Sequence, residues 1–219
     1  PEFLAASMSS NLNDTDQLAI FVDDAKTNFG IQIVAPDINQ SESLFTVRDG
    51  KIVYGLAALK GVGAVATDAI VAERNANGKF KNLTDFAKRC ASIMNKRILE
   101  AFAKTGVLDS LEPNRAKIYL NADAILAYAA KSRDGAGMLS LFANTVEDDV
   151  DEDRLQKNLP DTTPWTFSQK LENELSALGL YISAHPLDQY KHLIKKHKLI
   201  TSATLASVGD RKPVQVAVN

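Results

Sequence analysis

The chain has 219 residues, 45% hydrophobic and 24% charged, with a formal net charge of −2. That length can hold one large domain or two small ones around a real core, and no apolar run is long enough to span a membrane. Cys90 is the sole cysteine, which excludes an internal disulfide or a cysteine-based zinc site and fits a reducing, cytoplasmic setting.

The N-terminus lacks a basic region followed by an apolar stretch and a small-residue cleavage site, so no secretion signal is read. It opens Pro1-Glu2-Phe3-Leu4 without an initiator Met, as a piece of a longer protein does. Pro1 suits the first turn of a helix running to about Asn11. Asp14 or Thr15 can cap a second helix, with Leu18, Phe21 and Val22 on one face, ending at Gly30. Ile31 to Val34 reads as a short strand. Phe45 to Tyr54 reads as a β-hairpin around Asp49-Gly50, the dipeptide that tight hairpin turns favour.

The hairpin leads into Leu59-Lys60-Gly61-Val62-Gly63, with helix-like sequence before it (Leu56 to Ala58) and after it (Ala64 to Glu73). Two glycines flanking one apolar residue allow a tight turn, because glycine tolerates positive φ. The turn's amides then stand at the N-terminus of the next helix, where free donors and the helix dipole favour an anion. Lys60 adds a positive charge. This shape resembles a helix-hairpin-helix DNA-binding motif; the plainer reading is a capping glycine between two packed helices.

A short helix through Lys88-Arg89 follows, with Thr84 or Asn82 as its N-cap. The next helix starts at Asn95-Lys96-Arg97, carries Ile98, Leu99 and Phe102 at helical spacing, and ends at Lys104-Thr105-Gly106-Val107-Leu108-Asp109. This second turn has the outline of the first, but Asp109 would repel phosphate. The first turn is therefore expected to grip DNA and the second mainly to pack. A further helix is read from about Asn114 through Ala130.

Charge follows the same division. Arg48 to Lys104 holds eleven Lys/Arg against five Asp/Glu, a balance of +6; Thr105 to Asp153 holds four against ten, a balance of −6. The basic block coincides with the first glycine turn, as a phosphate-binding surface requires. The run Glu147 to Asp153 reads as a solvated linker. Further on, Thr163-Pro164-Trp165 opens a helix through Leu180, with Leu171, Leu175 and Leu178 on one stripe and Trp165 as an anchor toward the N-terminal helices. Pro186 opens another, through Lys198.

Several ordered motifs carry a wider resemblance. Pro1 to Ala6, Pro36-Asp37-Ile38-Asn39, Tyr54 to Gly63, Asn95-Lys96-Arg97, Gly106 to Asp109 and Ala184-His185-Pro186-Leu187 resemble, in this order, the bacterial replicative DNA polymerase III alpha-subunit family of C-family polymerases. The resemblance runs essentially end to end. It implies a mainly α fold: a helical fingers segment with a short β-hairpin, a tandem helix-hairpin-helix domain, further C-terminal helices and a truncated strand. The implied divisions are 1–43 for the C-terminal part of the fingers, 44–130 for the hairpin domain, 131–162 for an acidic linker, 163–199 for C-terminal helices, and 200–219 for the start of an OB-fold domain. Lys212 to Val218 would be that domain's first strand.

The family's catalytic carboxylates come from an Asp-x-Asp palm motif upstream of this region. Asp14/Asp16 and Asp149/Asp151 have the spacing, but neither pair follows an apolar strand, and they read as capping and solvation. No catalytic or metal residue is therefore assigned here. The fragment needs no cofactor of its own, although Mg2+ is implied for the full-length polymerase. His185 reads as a helix-entry residue, and His192 and His197 make a weak metal case.

The family's linker carries a Gln-Leu-x-Leu-Phe-like peptide that docks on the sliding clamp. Here Met138-Leu139-Ser140-Leu141-Phe142 stands at the equivalent place, with Leu141 and Phe142 as apolar anchors and Leu139 in support. Met138 stands where Gln is usual and cannot make the amide hydrogen bonds.

The expectation is a fragment of a replicative DNA-directed DNA polymerase that grips duplex backbone through Lys60, Gly61, Val62, Gly63, Lys96, Arg97, Lys104 and Gly106. Its partners would be double-stranded DNA, the sliding clamp and other replicase subunits, with no membrane. Two alternatives stand beside this: a non-enzymatic helix-hairpin-helix module of a repair or recombination protein, and a helical scaffold that binds no nucleic acid.

Overall fold

Asparagine and aspartate side chains start four of the helices. A computed structural model describes residues 1–139 and 154–196. Helix α1 (Glu2–Ser10) is followed by α2 (Thr15–Thr27), whose N-cap Asp14 accepts from the Gln17 N–H. Helix α3 spans Ala64–Asn77. Asn82 caps α4 (Leu83–Arg89), Asn95 caps α5 (Lys96–Thr105) and Asn114 caps α6 (Arg115–Leu120), each accepting from the amide three residues on. Such a cap satisfies one of the amides that a helix start leaves without a partner. Asn95→Ala is expected to destabilise the chain by about 1 kcal/mol in urea unfolding, with the same slope against denaturant.

The sheet is small. Strands β1 (Ile33–Val34), β2 (Thr46–Arg48) and β3 (Lys51–Val53) lie in the order β1-β3-β2. The hairpin between β2 and β3 turns at Asp49 and Gly50, both at positive φ (50° and 73°), as the Asp-Gly pair predicts. The isolated strand expected at Ile31 to Val34 joins this sheet by pairing parallel to β3.

One connected core fills Pro1–Ile182. Phe86 meets Phe80 edge-on at 5.1 Å, and its centroid lies 6.4 Å from that of Phe102. Tyr54, Leu59, Leu99 and Ile125 are fully enclosed or nearly so. Asn39 bridges the loop after β1 to the α3–α4 connection: its Nδ2 donates to the Phe80 carbonyl (2.9 Å) and its Oδ1 accepts from the Phe80 N–H (2.8 Å). The buried Arg74 guanidinium donates to the carbonyls of Ile38 and Ser41 and pairs with Glu42 at 2.8 Å. These contacts give the Pro36-Asp37-Ile38-Asn39 motif a structural role. Cys90 is also buried, and desolvation first of all pushes its thiol up to about 12, so it is inert at neutral pH.

Three expectations change. The helix read over 114–130 is two helices: α6 ends at Asn121, whose Nδ2 donates to the Lys117 carbonyl, and α7 (Ala122–Leu139) follows. Helix α7 enters the stretch read as linker, because the alanine-rich run before it has high helix propensity. The end of that stretch is also docked. In α8 (Arg154–Asn158) and just after it, Leu155 and Leu159 enter the core one helical turn apart, and the Leu155 N–H donates to Thr84 Oγ1 at 3.2 Å. Finally, α9 (Phe167–Leu178) starts at a Thr166–Gln169 capping box rather than at Pro164, and packs on α5. Leu171 and Leu178 are buried there, whereas Leu175 is exposed. Trp165 lies on Tyr119 of α6 (5.5 Å between centroids) rather than on the N-terminal helices.

The second compact unit begins at Ser183. His185 caps a 3-10 turn (Pro186–Tyr190) through Nδ1, which accepts from the Leu187 N–H, and helix α10 (Lys191–Lys196) follows. Asp188 accepts from the His185 N–H at 2.9 Å, and this bond, with Lys191 beside it, lowers the carboxyl's pKa. His192 is exposed on α10. His197 and the strand expected at Lys212 to Val218 lie outside the described residues, as do Asp149, Asp151 and the acidic run.

Candidate nucleic-acid interface

The turn at residues 59–63 is built by burying its apolar members. Leu59 and Val62 are 2% and 5% exposed, so the residues between and after them, Lys60 and Gly63, are pushed outward. The helix-like stretch before it, Leu56–Ala58, is a short 3-10 turn. The Val62 N–H donates to the Leu59 carbonyl at 3.1 Å and closes the turn.

The two glycines differ. Gly61 has φ 86°, and a Cβ on it would collide with the Arg97 guanidinium. Gly63 has φ −78°, and a Cβ there would meet nothing within 4 Å. The expectation that both glycines serve positive φ is thus corrected: only Gly61 does. Gly63 is the N-cap of α3 and offers no side chain, while its carbonyl accepts from Ala66 and Thr67. Among the described residues, the amides of Gly63, Ala64 and Val65 donate to no protein acceptor, and all three residues are exposed. Three adjacent free amides thus stand at the positive end of a fourteen-residue helix, where the dipole favours an anion.

The turn opens on a cleft of about 600 Å³. Lys60, Gly61, Gly63 and Arg97 line it together with Asn13 and Thr15 from the start of α2. Lys60 and Arg97 are exposed. The part of Asn13 and Thr15 in the cleft escaped sequence reasoning, since only their turn-forming polar character marks them.

Of the expected DNA-binding residues, Lys60, Gly61, Val62, Gly63 and Arg97 come together, with Val62 acting as an inward anchor. Lys96, next to Arg97, is drawn to Asp123 at 2.7 Å, a hydrogen bond that raises its pKa. Lys104 lies over the Tyr119 ring at 5.4 Å. Gly106 is buried: it has φ 76° and the Arg115 guanidinium covers it, leaving no room for a Cβ. Arg115 in turn binds Asp109 through two parallel hydrogen bonds, Nε to Oδ1 (2.9 Å) and Nη2 to Oδ2 (2.7 Å). The second turn is therefore closed by its own ion pair, where the first is open. Asp14 is engaged in capping α2, and among the described residues no group of three or more His, Cys, Asp or Glu is arranged to hold a metal ion. None of the described helices is long and apolar enough to cross a membrane.

Comparison with known proteins agrees with this geometry. Residues 30–118, which include both turns, match the helix-hairpin-helix motif family. Over 197 residues the chain is 41% identical to the DNA polymerase III subunit alpha of Neisseria meningitidis serogroup B, covering 89% of this chain and 17% of that protein. It is 37% identical to the Caulobacter vibrioides subunit over 206 residues (92% of this chain, 17% of that protein). For the Haemophilus influenzae subunit the identity is 34% over 220 residues (99% and 18%). The chain thus spans about a sixth of the length of these relatives.

Proposed function

We propose that this chain, 37–41% identical over most of its length to DNA polymerase III alpha subunits, is a segment of that family that grips the backbone of duplex DNA for a replicative polymerase. The observation that carries the reading is the open turn: three free amides on α3, with Lys60 and Arg97 beside them. Such a site binds phosphate and reads no bases, so affinity falls with salt and varies little with sequence.

Gly63→Ala tests this directly. The backbone there suits alanine and the space is open, so stability changes by no more than about 1 kcal/mol. A phosphate held by the neighbouring amides would meet the added methyl, and duplex affinity is expected to fall by roughly tenfold, or ~1.4 kcal/mol. Fluorescence anisotropy with a labelled duplex measures it. Unchanged binding would mean that the turn is only a helix cap, and a chain that binds no duplex even at low salt would favour the scaffold alternative.

The same reading places nucleotidyl transfer, and the Mg2+ it uses, in the parent polymerase, with the metal-binding carboxylates outside this segment. The purified 219-residue chain is then expected not to extend a primer. A cytoplasmic setting and contacts with other replicase subunits belong to the same proposal.

A tether to the sliding clamp is its second part, supported by the family relationship and by Met138-Leu139-Ser140-Leu141-Phe142. Ser140, Leu141 and Phe142 lie outside the described residues. A peptide spanning Gly137 to Ala143 is expected to bind a bacterial clamp no more tightly than micromolar, ~−8 kcal/mol, because it must order on binding. Met138→Gln should tighten it by roughly 1 kcal/mol through restored amide hydrogen bonds, and Leu141→Ala with Phe142→Ala should abolish it. Calorimetric titration reads all three; a double variant that binds like the parent peptide would end the tether reading.

A further inference from the structure

The Gly61 turn is completed from a distant part of the chain. The Lys60 N–H donates to the Ala177 carbonyl at 3.1 Å. That carbonyl lies in the last turn of α9, where acceptors have no partner within the helix. Gly179, the C-cap of α9, is left-handed at φ 78°. A Cβ on it would stand 3.0 Å from Thr15 Cβ and 3.7 Å from Lys60 Nζ. Thr15 and Lys60 both line the cleft, so the end of α9 adjoins two of its lining residues. The negative end of the α9 dipole also faces the Lys60 ammonium, a favourable arrangement.

Helix α9 is itself firmly seated. Leu171, Ala177 and Leu178 are buried, and Glu174 is 1% exposed. The Glu174 carboxylate accepts from the Ile182 N–H at 3.0 Å and lies 3.8 Å from the Arg115 guanidinium. The helix therefore presents the Ala177 carbonyl from a fixed position.

We infer that α9 is a positioning element of the phosphate-gripping turn, so that the DNA-binding unit is discontinuous in sequence. Residues 60–65 and Arg97 make the contacts, and residues 174–179 hold the turn in its binding shape. The matched hairpin motif ends at residue 118, well before the helix that completes it. The physical reason is preorganisation. Gly61 can reach many backbone conformations, and the bond to Ala177 fixes the residue before it, so less ordering is left to the moment of binding. This inference rests on the duplex-DNA reading above.

Gly179→Val and Gly179→Ala in the 219-residue chain test it. Neither alters charge or any residue of the turn. Valine is strained at φ 78° and presses on Thr15, so it lifts the end of α9; alanine does so less. Two quantities are read: duplex affinity by anisotropy, and amide exchange at Lys60 with Leu99 as the core reporter. The valine variant should exchange its Lys60 amide about tenfold faster and bind duplex about tenfold more weakly, with Leu99 unchanged. The alanine variant should show smaller changes of both in proportion. Faster Lys60 exchange with undiminished duplex affinity overturns the inference, as does unaltered Lys60 exchange. Loss of Leu99 protection in the valine variant leaves the decision to the alanine variant. Failure of the parent chain to bind duplex at low salt overturns the DNA reading itself, and the Lys60 exchange then still shows whether α9 fixes the turn.

Discussion

Reversing charge at Lys60 and Arg97 together should lower duplex affinity by about a hundredfold at roughly 50 mM salt, and should flatten the dependence of log K on log salt by a slope of about 2. Both side chains are exposed, so the change leaves the buried core untouched. Their positions make them the cations of the open turn: Lys60 belongs to it, and the Arg97 guanidinium lies over Gly61. Reversal removes two counterion-releasing contacts and adds repulsion at the mouth of the anion site. Anisotropy titrations over a salt series, with two duplexes of unrelated sequence, measure the slope and the lack of base preference. Lys96→Ala is the control. Lys96 carries the same charge and is adjacent in sequence to Arg97, but it is paired with Asp123, so its loss should change affinity less than threefold. Equal effects from the two changes would assign binding to the diffuse basic surface and not to the turn.

The parts of this chain that were legible in sequence are those set by local chemistry. Asn82, Asn95 and Asn114 cap helices because a short polar side chain can reach an amide three residues on. Asp49-Gly50 turns a hairpin because both residues tolerate positive φ. The Gly61 turn was legible for the same reason, and Arg97 entered through the family's Asn-Lys-Arg motif. What remained hidden depends on contacts between distant residues. Nothing near Ile33 indicates that it pairs with Ile52, and nothing near Ala177 indicates that its carbonyl receives the Lys60 amide. Trp165 was expected to anchor on the N-terminal helices, but its partner is Tyr119, more than forty residues away. The pattern Gly-Val-Gly also does not reveal which glycine is left-handed, because that depends on the guanidinium that packs above one of them. Gly106 illustrates the converse. It shares the outline of the first turn, yet Arg115, nine residues on, closes it, and Asp109 was the only local sign that this turn would not take an anion.

Arg115 is the point where that closure can be broken, and Arg115→Ala should destabilise the chain by about 3–5 kcal/mol. Asp109 is 41% exposed and can recover water when its partner goes. Glu174 is 1% exposed and would lose the guanidinium 3.8 Å away while keeping its bond from the Ile182 N–H. The left-handed Gly106 would also lose its cover, opening a void at the end of α5. If the buried charge is the main cost, removing it along with its partner should restore stability. Arg115→Met combined with Glu174→Leu should therefore be more stable than Arg115→Ala by at least ~1 kcal/mol, although two polar groups have been lost rather than one. Asp109→Asn should cost less than about 1 kcal/mol, because its carboxylate is partly solvated already. Urea unfolding of the four chains, compared at equal m-value, separates these effects. A double variant less stable than Arg115→Ala would mean that packing at Gly106, and not its ion pair with Glu174, is what Arg115 chiefly supplies.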